Sequence, residues 1–224
     1  MTTDVRTSLS KVAQVPPVTL ATLGVSLLAL PGYAWASTVL GLNAPPLVTV
    51  AVQWTVAVGV VAVAVGVEGR SLASVGFRRA RRGDALALAG AAAAAMLVFA
   101  ATDPLVAALG LPVRGDSGTL STGVGLSVAL VRAVTTGVVE EVLFRGYPIE
   151  RLVEYAESPL LAGVVTWGAF TAAHAVAWPL GNLVQISAVA AVFTVIYLRR
   201  RSLVPVVGAH VAVWALSVLG RVYG

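Results

Sequence analysis

The sequence predicts an all-α fold, a polytopic transmembrane helix bundle of about seven spans with its N-terminus in the cytoplasm. Three observations carry that prediction. Of 224 residues, 58% are apolar and only 11% are charged, whereas a soluble domain is typically about 25% charged. There is too little charge to cover a water-facing surface. Runs of about 20 apolar residues recur along almost the whole length, the length needed to cross a bilayer as helix. Arginines gather at alternate ends of those runs, as the positive-inside rule requires.

The spans follow in order. The first, 17–40, opens on Pro16 and Pro17, where a missing N–H costs nothing, and closes at Gly41, which tolerates a helix stop. The second, 46–67, opens on Pro45 and Pro46 in the same way. The third, 84–110, leaves the cluster Arg78-Arg79-Ala80-Arg81-Arg82, passes through the alanines 91–95 and ends at Gly110. The fourth, 123–146, ends at Gly146, and the fifth, 159–179, opens on Pro159. The sixth and seventh, 181–199 and 203–222, flank Arg199, Arg200 and Arg201. Ala34-Trp35-Ala36 has the look of a leader cleavage site. The long apolar stretch behind a polar arm of about 16 residues predicts instead that span one is retained. No internal repeat is visible. Residues 1–224 read as one membrane domain, with a core at about 120–220 and three accessory N-terminal spans.

With the N-terminus inside, twelve Lys or Arg residues fall on the cytoplasmic side and two, Arg114 and Arg221, on the other. The twelve include Arg6, Lys11, Arg145 and Arg151, and Arg132 falls within span four. The C-terminus is then outside, and Glu140 and Glu141 lie toward the cytoplasmic end of their span. The net charge of +5 thus argues for membrane orientation rather than for a nucleic-acid partner. The Arg78–Arg82 cluster reads as a topology anchor that touches anionic headgroups of membrane lipids. Trp35, Trp167 and Trp178 read as interface or packing residues. Cys is absent, which removes disulfides and thiolate metal sites.

Chemistry concentrates in few places. Charge inside a bilayer costs roughly 2.5–3.5 kcal/mol per group on insertion scales, so Glu140 and Glu141 side by side imply function. Glu141 and Arg145 are four apart and share a helix face, so they pair, while Glu140 points about 100° away toward a reaction centre. The only two histidines, His174 and His210, both fall within spans. Arg132 reads as structural, or as reaching the outer surface. Taken singly, either histidine could be an interhelical hydrogen-bonding residue; both together with two acids are harder to explain as packing. On helical rise, His210 lies about 10 Å into its span, level with Glu140, whereas His174 lies about 22 Å in, too deep unless span five is tilted or shifted.

Carboxylate plus imidazole supports general-base activation of water, with a second group polarising the carbonyl. It also supports a zinc site with Glu140, His174 and His210 as ligands. The compact HExxH signature is absent.

These residues resemble the CPBP intramembrane protease family, which includes type II CAAX prenyl endopeptidases and bacteriocin-processing, Abi-like proteins. The family pattern is Glu-Glu-x-x-x-Arg, then Phe-x-x-x-His, then His-x-x-x-Asn or Asp. The first motif stands as Glu140, Glu141 and Arg145, the second as Phe170 and His174. The third keeps His210 but has Trp214 where Asn or Asp is expected. The resemblance implies an endopeptidase acting on a peptide or lipidated peptide near the cytoplasmic face. Glu140 and His174 would activate water, His210 would help stabilise the oxyanion, and Glu141 and Arg145 would support the site. It leaves a metal-dependent and a metal-free form open, and the metal-free form is favoured. Trp214 puts the oxyanion donor in question; Ser217, on a similar face, could replace it. Two other readings are a silent binding or immunity-type membrane protein and a proton-coupled transporter with the acids and histidines as a relay.

Overall fold

The computed structural model describes residues 15–114 and 124–223, and the side chains of Arg221 and Val222 are outside that description. Of the charge pattern, Arg6 and Lys11 also lie outside the described residues. The described residues form helices and loops only. Helix α1 runs Pro17–Val39, α2 Pro46–Gly66, α3 Arg82–Ala108, α4 Leu126–Glu141, α5 Tyr147–Ala156, α6 Pro159–His174, α7 Leu180–Arg200 and α8 Leu203–Tyr223. A short 3-10 turn, Leu72–Val75, precedes α3.

Helices α1, α2, α3, α7 and α8 are each long and apolar enough to cross a membrane, and their large apolar side chains largely face outward. That is the pattern of a bundle solvated by lipid. Prolines open α1, α2 and α6, and Ser158 Oγ accepts from Leu161 N–H to cap α6. Gly41 and Gly110 adopt φ of 62° and 60° just past α1 and α3.

Span four does not end at Gly146. A π turn, Val142–Gly146, joins α4 to α5, so the chain stays helical from Leu126 to Ala156. Widening the turn carries the helix past Pro148, which has no N–H to donate. Gly146 instead serves close packing: a Cβ there would sit 2.7 Å from the Val75 carbonyl oxygen. The helix stops at Glu157, in the left-handed region at φ 53°, and α6 folds back against α5. Arg145 is also not a flanking charge, being fully buried in the bundle.

At the arginine-rich end, charges are tied down in pairs. Glu150 accepts from Tyr197 Oη and from Arg201, Asp84 accepts from Arg200 Nε at 3.0 Å, and Arg151 pairs with Glu154 at 2.8 Å. Glu68 accepts from Thr19 and Tyr147 hydroxyls. Ser26 Oγ donates to the Leu143 carbonyl oxygen at 2.6 Å, which seats α1 on the π turn.

Candidate active site

The site forms where α4, α6 and α8 meet. Gly137 lets α4 and α8 approach: a Cβ there would lie 2.8 Å from the Val211 backbone nitrogen. One turn further on, Glu141 Oε1 accepts from Arg145 Nη1 at 2.9 Å and from His210 Nδ1 at 2.8 Å. Glu141 and Arg145 are both fully buried, so each charge depends on the other. The Arg145 guanidinium lies 4.1 Å above the Phe170 ring, a cation–π contact that fixes its plane.

Phe170 in turn orients His174. The two rings pack at a tilt of 39° with centroids 4.4 Å apart, and His174 Nδ1 lies 2.8 Å from the Phe170 carbonyl oxygen. A carbonyl oxygen only accepts, so Nδ1 carries the hydrogen and Nε2 presents a lone pair in the neutral ring. That lone pair faces Glu140 Oε2 across 3.9 Å. Glu140 Oε2 is 4.0 Å from His210 Nε2. Glu140 and His174 side chains are each 17% exposed, against none for Glu141. One glutamate is locked in the protein interior and its neighbour opens on a cavity.

That cavity has a volume of about 850 Å³, and Glu140, His174 and His210 all lie in its wall. Arg132, Trp214 and Ser217 share the wall, so Arg132 faces the same space as Glu140. Trp178 lines it as well, while Trp167 packs with its Nε1–H on the Ser187 carbonyl oxygen and Trp35 is exposed. The depth difference for His174 disappears in the hairpin of α5 and α6. Glu140 lies 16 residues before Ala156 and His174 lies 15 after Pro159, so the antiparallel helices bring them level.

Trp214 changes the chemistry available to His210. Its Nε1–H donates to His210 Nε2 at 3.0 Å. His210 therefore holds its hydrogen on Nδ1, toward Glu141, and has none to offer an oxyanion in this arrangement. The same contact occupies the lone pair that a metal would need, and no group of three His, Cys, Asp or Glu with metal-holding geometry occurs among the described residues. The zinc set of Glu140, His174 and His210 does not fit this arrangement.

Residues 122–216 match the family model for type II CAAX prenyl endopeptidase, Rce1-like. Over these residues the chain is similar to that family. No curated protein and no solved structure matches the chain. The matched segment contains Glu140, Glu141, Arg145, Phe170, His174, His210 and Trp214 but not Ser217, and covers a little under half of the chain. The family matched is one of endopeptidases, which are hydrolases, and the five long apolar helices fit a membrane protein.

Sequence reasoning missed Asp103. It stands in the apolar run of α3, lines the cavity, and accepts from Gln185 Nε2. The signal was the one that marked Glu140, an acid inside a membrane-length helix. Gln53 and Thr136, also in the wall, carry no charge to give them away.

Proposed function

We propose that the protein is an intramembrane endopeptidase, a multi-pass protein of the cell membrane, in which Glu140 and His174 activate the attacking water. The facing acceptors, Glu140 Oε2 and His174 Nε2 at 3.9 Å, carry the reading. Two hydrogen bonds of about 2.8 Å spanning that gap subtend roughly 90° at a water oxygen, near the angle between its two hydrogens. Such a water donates to both groups and turns its lone pairs into the cavity. Glu140 accepts the proton as the oxygen attacks the scissile carbonyl, and returns it to the departing amine. His174 holds the water in line. Glu141 and Arg145 act indirectly, by fixing His210 and the Phe170 ring that carries His174. The oxyanion donors on α8 are the Ser217 hydroxyl and, once it turns away from His210 Nε2, the Trp214 indole N–H.

Purified protein in nanodiscs, incubated with a peptide library, tests this. Wild-type protein is expected to cleave, and Glu140→Ala and His174→Ala are each expected to be inactive. Equal cleavage by all three would sink the assignment.

A silent binding protein is the second reading, favoured by the indole that caps His210 Nε2. Trp214→Asn separates the two. One oxyanion donor is worth about 10²–10³ in rate. If the indole only blocks, the smaller amide should raise kcat by up to that factor. An unchanged rate means that Trp214 or Ser217 already supplies the donor. No cleavage by either protein favours the binder.

A further inference from the structure

The cavity has a direction. From Glu140 its wall runs along the outer halves of the helices to Trp178, Asn182 and Arg114. These lie just past the C-terminal end of α6, at the start of α7 and in the chain beyond α3. Hydrogen bonds between Gly181 and Pro112, and between Arg114 N–H and Asn182 Oδ1, tie that end together. A second cavity of about 400 Å³ also reaches Glu140 and His174, and its wall runs to Tyr33 and Asn43 at the same end of the bundle. The arginine clusters 78–82 and 199–201 lie at the opposite ends of α3 and α7.

Toward those clusters the path is closed. Leu143, Arg145, Tyr147, Ile149 and Tyr197 are all fully buried and form a solid floor beneath Glu140. Beyond it the Glu150–Arg201 and Tyr197–Glu150 bonds seal the end of the bundle. The expectation of chemistry close to the arginine-rich face came from ending span four at Gly146. Helix α5 puts additional packed structure on that side.

We infer that substrate reaches Glu140 and His174 from the face opposite the arginine clusters. By the positive-inside rule that face is extracytoplasmic. The class of substrate is then an exported or outer-leaflet peptide, with apolar side chains to match walls formed by Met96, Phe99, Val189 and Val213. A lipidated C-terminus presented from the cytosol would meet the floor. The inference rests on the peptidase reading for the word substrate, while the access route stands on geometry.

The chain has no cysteine, so single cysteines report access without background. Ala177→Cys, Thr136→Cys and Arg79→Cys are expressed separately and treated with a membrane-impermeant maleimide, in intact cells and after permeabilisation. Residues 136 and 177 should label in intact cells, and residue 79 only after permeabilisation. Labelling of residue 79 in intact cells overturns the inference. So does labelling of 136 and 177 only after permeabilisation, or not at all. The readout does not depend on hydrolysis: labelling as expected with no cleavage of any peptide would count against the peptidase reading alone.

Discussion

Glu140→Gln should lower kcat/KM by about 10²–10⁴, the usual contribution of a positioned general base. The amide nearly matches the carboxylate in size, so the cavity wall and the neighbouring Glu141 cluster stay in place. What changes is proton affinity: an amide oxygen still accepts a hydrogen bond from water but cannot take its proton at neutral pH. The loss should therefore appear in kcat, with KM little altered, because binding contacts to the peptide survive. Rates of peptide hydrolysis in nanodiscs, at saturating and limiting substrate, separate the two terms. A loss confined to KM would mean that Glu140 binds the substrate rather than activating water. Glu140 is partly exposed and lacks the buried ion pair of Glu141, so Glu140→Gln should leave the unfolding midpoint nearly unchanged.

Helix periodicity made much of this site legible. Spacing of four put Glu141 beside Arg145, and a turn of 100° sent Glu140 elsewhere. The same spacing relates His210 to Trp214, so their contact was within reach of the sequence. Its consequence was not, because which nitrogen the indole meets depends on Glu141 claiming the other one. The prolines and glycines at helix ends were informative where the chain really turns, as at Pro46 and Gly110. They misled at Gly146-Tyr147-Pro148, where glycine followed by proline reads as a stop. A π turn is an accommodation between neighbours, here the 3-10 turn ending at Val75 and α8 starting at Leu203, and local sequence does not encode those neighbours. The direction of the cavity was hidden for the same reason, since it depends on which helices close over the site.

Arg145→Ala should destabilise the protein by about 3–5 kcal/mol, the loss expected when one partner of a buried ion pair is removed. Arg145 and Glu141 are both inaccessible, and the guanidinium also rests on Phe170. Removing it strands the Glu141 carboxylate in an apolar interior with His210 as its remaining partner. Arg145→Lys should recover only part of the loss. Lysine keeps the charge but not the planar face that lies on Phe170, and loses the second nitrogen within 3.5 Å of the Ala190 carbonyl oxygen. The double variant Glu141→Gln with Arg145→Met should be markedly more stable than Arg145→Ala. It removes both charges, fills the space, and leaves an amide oxygen to accept from His210 Nδ1. Denaturant unfolding in detergent micelles measures all four proteins. If the double variant were no more stable than Arg145→Ala, neither a stranded charge nor missing volume would account for the loss, and it would come from the guanidinium's own contacts with Phe170 and the Ala190 carbonyl oxygen. Activity then distinguishes support from chemistry. Because Arg145 acts through Phe170 and Glu141, a double variant that regains stability should also regain part of the hydrolysis, whereas Glu140→Gln should stay inactive at full stability.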